Sequence, residues 1–259
     1  MPVLSRPSGS IRYQVSGSGG PALLLTHGYA ATAAMFAANV PAIAARHLVI
    51  TWDMRGHGGS DYPSGPAAYS PAAALDDMAA LLAECGQDRA VLGGHSLGGY
   101  LSLDFALTYP ERVAGLVLLD TGPGFRNDAA RDGWNRRAEG TATRLAEQGL
   151  AALGSSTELH SGEHRDASGL VLAARHTLTQ RDAHVLNGLP HITAPTLVIV
   201  GSDDAPFLGA ADYMTAKIPL ARKVVIPGAG HAPNVDKPEL FDAEVRAFLD
   251  QITGPEGQA

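Results

Sequence analysis

The chain has 259 residues, of which 45% are hydrophobic and 17% charged, with a formal net charge of −7. That composition supplies a large apolar core and excludes a disordered chain, while the negative balance argues against an electrostatic nucleic-acid partner. A single cysteine, Cys85, permits no internal disulfide and no cysteine-based metal site, and is read as a small apolar residue on a helix.

Short apolar runs bounded by glycine, proline or polar clusters read as strands at 11–15, 22–26, 48–52, 90–93, 115–119, 196–200 and 223–226. The runs 23–25, 116–119 and 197–200 are apolar at successive positions, which suits central parallel strands covered on both faces. Helical patterns lie between them at 35–46, 71–85, 97–108, 210–217 and 238–251. Ser70 and Pro71 form a helix start, and Pro110 closes the helix that ends near Thr108. Strand and helix in alternation give an α/β protein with a doubly wound, mostly parallel sheet. No run approaches the roughly 18 apolar residues of a membrane span, and the first residues lack the long apolar core of a signal peptide. The expected setting is cytoplasmic, with no membrane partner.

One interval breaks the alternation. Residues 121–190 show no strand pattern but three helical ones, at 128–147, 170–180 and 182–189. They carry eight arginines and eight acidic residues, a balance that points to a self-paired surface. A structureless loop of this length is improbable. The expectation is therefore a core of residues 1–120 and 191–259 with a helical cap, 121–190, inserted over the carboxyl edge of the sheet. Ser16-Gly17-Ser18-Gly19-Gly20 opens no helix, so it reads as a turn rather than a phosphate loop.

Gly94-His95-Ser96-Leu97-Gly98 stands between a strand and a helix. A tight turn there would lift the Ser96 hydroxyl out of the fold, provided the residues two before and two after it are small. A serine hydroxyl also needs a base, and the base an orienting carboxylate. His231 lies in the small-residue loop Pro227-Gly228-Ala229-Gly230-His231, after the last strand pattern, and Asp204 follows the strand before it. All three sit at carboxyl ends of strands, where open parallel sheets place ligands. Asp203, its neighbour, and Asp120, at the end of another strand, are alternative acids. The Leu97 N–H, next to the serine, and the Tyr29 N–H, after Gly28, are the expected oxyanion donors.

These motifs resemble the α/β-hydrolase fold family. The likeness runs through His27-Gly28, Asp53-Met54-Arg55-Gly56-His57-Gly58-Gly59-Ser60, Gly94–Gly99, Gly201-Ser202-Asp203-Asp204 and Gly230-His231. It implies an acid three residues after Gly201, which selects Asp204, and a cap after the strand ending near Asp120. Serine at position 96, rather than aspartate, argues against dehalogenase or epoxide-hydrolase chemistry.

Other polar residues take structural readings. His95 is expected to point away from the reacting face, and Arg55 to tie backbone or a carboxylate in its turn beside His57. His160 and His164 have metal-ligand spacing on a helix, but Ser161 stands where a zinc protease needs glutamate, so no metal is expected. Tyr29, Met35, Phe36, Phe125, Trp134 and Phe207 fall near the expected cleft, and Phe125 and Trp134 are the chosen substrate contacts.

The resulting expectation is a cofactor-independent serine hydrolase of a small, fairly apolar carboxylic ester, its partner a small-molecule substrate. Hydrolysis of a C–C bond or an enol lactone in aromatic catabolism is the alternative reaction. A ligand-binding receptor is the alternative of another class, since a fold does not dictate function. Either state of assembly, single chain or homo-oligomer, is compatible with these features.

Overall fold

The computed structural model describes residues 2–154 and 163–252. Strands β1 (Val3–Leu4) and β2 (Ile11–Ser16) lead into β3 (Leu23–Thr26), α1 (Val40–Ala44), β4 (Val49–Trp52) and α2 (Pro71–Glu84). Then come β5 (Ala90–His95), α3 (Leu97–Thr108) and β6 (Val113–Leu119). Helices α4 (Asp128–Gln148), α5 (Ser168–His176) and α6 (His184–Gly188) precede β7 (Thr196–Gly201) and α7 (Ala205–Lys217). The chain ends with β8 (Ala221–Ile226), α8 (Pro233–Asp236) and α9 (Pro238–Ile252).

The strands form one sheet in the order β1-β2-β4-β3-β5-β6-β7-β8. The pairs β1–β2 and β2–β4 are antiparallel and the rest parallel. Successive side chains on a strand point to opposite faces, so an all-apolar strand fills two cores at once. Leu24, Leu92, Leu116, Leu118 and Val198 face α2 and α3, against Met78, Leu81, Leu101 and Phe105. Leu23, Leu25, Val91, Val117 and Ile199 face the other way, against Phe241, Val245 and Phe248 of α9. The runs 23–25, 116–119 and 197–200 thus occupy the buried middle of the sheet.

Helix starts follow local chemistry. Ser70 Oγ accepts the Ala73 N–H at 3.1 Å with Pro71 in the first turn, and Asn127 Oδ1 accepts the Ala130 N–H at 2.7 Å to open α4. Several expected boundaries move. The helix read over 35–46 is instead a 3-10 turn, Ala33–Phe36, followed by the short α1. Pro41 has no N–H to continue a helix from above it. The buried Asn39 between the two pieces turns its side-chain amide to Asn234 O and Asp242 Oδ1. Helix α7 begins five residues before 210, with Pro206 in its first turn; β1 carries too few residues for a period to show.

Between β6 and β7 the described residues hold helices and no strand. Helix α5 covers 168–176 rather than 170–180, and α6 covers 184–188 within 182–189. The segment rests on loops at the carboxyl ends of β3 and β4. Tyr29 Oη donates to Leu170 O at 2.9 Å, and Thr32 Oγ1 donates to Glu163 at 2.5 Å. His164 Nε2 donates to Ala30 O at 2.9 Å, while its Nδ1 accepts the Gly58 N–H at 3.1 Å. Arg131, Arg165 and Arg175 pair with Asp128, Asp166 and Glu139 of the same segment. His160 lies outside the described residues. No helix among the described residues is long and apolar enough to cross a membrane.

Asp53 joins the loops that frame the carboxyl edge. Its fully buried carboxylate accepts Arg12 Nε at 2.7 Å, the Ala33 N–H at 2.8 Å and the Gly59 N–H at 2.9 Å. Asp53→Ala should cost about 3 kcal/mol, the low end for breaking a buried pair, because Arg12 keeps some water. Urea unfolding measures this, and a loss under about 1 kcal/mol would show that the loops hold without it.

Candidate active site

The turn from β5 into α3 places Ser96 at φ 50° and ψ −112°, a region that side-chain-bearing residues rarely adopt. The space around it explains the two flanking glycines. A Cβ on Gly94 would stand 2.2 Å from the Gly98 backbone, and one on Gly98 would stand 2.2 Å from Thr26 O. The Ser96 N–H donates to Leu119 O at 2.9 Å, which hangs the turn from β6. Its hydroxyl has no hydrogen-bond partner among the described residues and lies open on a cleft.

The expected acid and base meet. His231 Nδ1 donates to Asp204 Oδ2 at 2.7 Å. Asp204 follows β7 and stands directly before α7, where a carboxylate would ordinarily cap the helix. It makes no cap bond and turns to the imidazole instead. Asp203 is exposed and accepts from Ser202 Oγ, so geometry favours Asp204 over its neighbour. The imidazole ring packs against His95 and Phe207, each at 4.8 Å between centroids. With Nδ1 engaged, Nε2 is the nitrogen left to accept a proton.

His95 is buried and is not among the described residues that line the cleft, and its Nε2 donates to the His231 carbonyl at 2.7 Å. Burial, ahead of its proximity to His231, lowers its pKa to about 3 and keeps the ring neutral. A Cβ on Gly28 would lie 2.5 Å from His95 Nδ1 and 3.4 Å from Ser96 Cβ. Only glycine lets that backbone pass so close to the serine.

Both expected oxyanion amides belong to peptides clamped through their carbonyls. Gly28 O accepts His27 Nδ1–H at 2.7 Å and the Ala31 N–H at 3.2 Å. Ser96 O accepts Thr121 Oγ1 at 2.6 Å and the N–H groups of Gly99 and Tyr100. In a trans peptide the N–H points opposite the C=O, so these bonds orient the Tyr29 and Leu97 amides. His27 is held neutral chiefly by burial, its pKa lowered to about 3, with Nε2 accepting the Met54 N–H. Sequence reading missed Thr121 and the clamping role of His27, because nothing local marks a hydroxyl that reaches 25 residues back.

The cleft at Ser96 and Leu97 has a volume of about 310 Å³. Phe125 and Trp134 line it, their rings 5.9 Å apart, and Trp134 Nε1 is anchored on Leu178 O at 2.8 Å. Phe207 lines it as well. Met35 and Phe36 do not: both are buried beneath the sheet with α9, because the 3-10 turn aims them inward. The Tyr29 side chain also leaves the cleft for Leu170 O and the His57 ring. Arg55 bonds the Asp77 carboxylate at 2.7 Å, as its turn suggested. A metal-capable group among the described residues is Asp120, Asp204 and His231, but the last two spend one possible ligand atom each on their mutual hydrogen bond.

Comparison with known proteins gives this geometry a lineage. The alpha/beta hydrolase fold family matches residues 21–175. A putative 2-succinyl-6-hydroxy-2,4-cyclohexadiene-1-carboxylate synthase of Bacillus subtilis is 30% identical over 79% of this chain and 81% of its own. A pimeloyl-[acyl-carrier protein] methyl ester esterase of Aeromonas hydrophila is 29% identical, over 89% of this chain and 96% of its own. Among solved structures, a thermophilic esterase from Thermogutta terrifontis superposes with a TM-score of 0.81 at 28% identity, covering 97% of both chains. The chain belongs to the alpha/beta hydrolase fold family, a family of hydrolytic enzymes.

Proposed function

We propose that this protein is a serine hydrolase of small, fairly apolar carboxylic esters, working without a cofactor. The observation that carries the reading is the 2.7 Å bond between His231 Nδ1 and Asp204, beside a strained Ser96 that opens on an apolar cleft. Esterase-named relatives at 28–29% identity support it.

In the proposed cycle, an ester carbonyl enters the cleft and closes the gap between Ser96 and the base; such links are often made only with substrate in place. His231 Nε2 takes the hydroxyl proton as Ser96 Oγ bonds to the carbonyl carbon. The Leu97 and Tyr29 N–H groups receive the oxyanion. The tetrahedral intermediate expels the alkoxide, which takes the proton back from His231 and leaves as alcohol. Water repeats the sequence on the acyl-enzyme and releases the acid. Asp204 holds the imidazole tautomer and stabilises its cation.

In this reading residues 121–190 act as a cap whose Phe125 and Trp134 hold the apolar part of the substrate. The core is then residues 1–120 and 191–259. A cytoplasmic setting suits a chain with one cysteine. Among the described residues that line the cleft, Arg137 is the one charged side chain. It stands three residues after Trp134 on α4, so both lie on one face of that helix. Unlike Arg131, Arg165 and Arg175, it has no acidic partner among the described residues. That favours, within this class, an ester whose body is apolar and whose far end alone carries a carboxylate.

Ser96→Ala should lower kcat by a factor on the order of 10⁶, measured on p-nitrophenyl esters. A fluorophosphonate should label Ser96 in the parent protein and leave the variant unlabelled. Near-normal turnover without the hydroxyl would remove the mechanism. High turnover of a ring-fission dienoate, with negligible ester cleavage, would instead favour C–C hydrolysis through the same groups. Binding without multiple turnovers would favour a receptor.

Arg137→Gln should reduce the preference for a dicarboxylic half-ester over its neutral analogue by roughly two- to fivefold, the scale of a solvent-exposed ion pair. The measurement is the ratio of kcat/KM for the two esters. A ratio untouched by the substitution would place the carboxylate elsewhere.

A further inference from the structure

Asp120 is a buried acid that the proposed cycle leaves unused. It directly follows β6, is 1% exposed, and holds its backbone at φ 41°, a conformation aspartate seldom takes. Its Oδ1 accepts the Gly201 N–H at 3.0 Å, whereas Oδ2 meets no donor. One polar atom each of Asp120, Asp204 and His231 lie within 4.8 Å of one another. Two buried carboxyl groups therefore share one imidazole that is itself about a third exposed.

Two negative charges so placed cannot both be held unless each has its own compensation. Asp204 has the imidazole at 2.7 Å; Asp120 has a single backbone amide. The titratable groups facing Asp120 are Asp204 after β7, His231 after β8, and Asp236 of α8, which accepts the Gly230 N–H at 2.8 Å. Two of those three add negative charge. Burial first, then Asp204 and Asp236, drive the Asp120 carboxyl far above the usual carboxylate range, against the lowering pull of the Gly201 amide. An oxygen that finds only acceptors around it is satisfied when it carries a proton itself.

We propose that Asp120 is a positioning residue, a neutral carboxylic acid whose Oδ2 proton is donated to the Asp204 carboxylate and holds it against His231. This rests on the reading of Ser96, His231 and Asp204 as the reacting triad. The bond holds the Asp204 carboxylate in its contact with the imidazole. It also withdraws charge from that carboxylate, so the imidazolium is stabilised less than by a bare aspartate. Its loss should therefore make His231 more basic as well as less well aimed.

The test compares Asp120→Leu, which has no donor, with Asp120→Asn, which keeps one in the same volume. Asp120→Leu should lower kcat on p-nitrophenyl esters by roughly tenfold, the scale of one hydrogen bond to a charged group, and move the acidic limb of the pH profile upward. Asp120→Asn should recover most of that loss and return the limb. Infrared difference spectra at neutral pH should show the carbonyl stretch of a protonated carboxylic acid in the parent protein and not in Asp120→Asn. In urea unfolding, the advantage of Asp120→Asn over the parent should grow as pH rises above about 4. The folded parent keeps a proton there that the unfolded chain releases.

Asp120→Asn as impaired as Asp120→Leu would overturn the proposal, because an ionised Asp120 would then be the working form. Absence of the acid band would overturn it too. The infrared and unfolding arms need no turnover. Failure of the hydrolase reading would show as an inert parent protein, with the proton on Asp120 still decided.

Discussion

The turn at Ser96 holds a serine in a left-handed conformation, and a residue there costs about 1–3 kcal/mol that the surroundings must offset. What offsets it is the middle of the sheet. Strands β5 and β6 pair along six positions between two apolar layers, and Leu119 at the end of β6 takes the Ser96 N–H. Thr121, two residues further, takes the Ser96 carbonyl. The elbow is thus clamped on both sides of its strained residue by one neighbouring strand. Gly94 and Gly98 supply the missing volume, since any Cβ there would run into backbone that cannot move aside.

Strand order sets how far the other groups must travel. From β5 to β8 is three inter-strand steps, roughly 14 Å at about 4.8 Å each. His231 leaves β8 and must come back toward Ser96, which a loop of small residues allows. A Cβ on Gly201 would stand 2.1 Å from Gly230 O, so the loop crosses directly over the end of β7. His95 Nε2–H holds the His231 carbonyl at 2.7 Å and binds the returning loop to the elbow itself. Asp204 leaves β7, between the two, and meets the imidazole at 2.7 Å.

Around this line the buried histidines act as fixed connectors rather than as acids or bases. His27, His57 and His164 each accept a backbone N–H on one ring nitrogen and donate to a carbonyl from the other. Desolvation lowers the pKa of His27 and His57, which keeps both rings neutral and their tautomers constant. Through them the loop after β3, the loop after β4 and the segment before α5 become one surface. That surface orients the Gly28–Tyr29 peptide. Met35 and Phe36, read as cleft residues, serve its underside instead, because a 3-10 turn and not a continuous helix carries them.

The amino-acid pattern alone pointed to the layered α/β class, the central strands and the residues Ser96 and His231, because each rests on local chemistry, while Asp204 stood beside Asp203 and Asp120 until the family likeness selected it. Apolar runs on both strand faces, a serine between spaced glycines, and polar residues placed directly after strands are all readable one segment at a time. Helix starts at Ser70 and Asn127 follow the same logic. Tertiary structure decided what depends on distance through space rather than along the chain. It broke the 35–46 helix around a buried Asn39, drew Asp203 into solvent while turning Asp204 inward, and set Asp120 beside that carboxylate. It also brought Thr121 onto the elbow and Arg137 to the cleft. Burial and the company of other charges give these residues their roles, and both exist only once the strands are side by side.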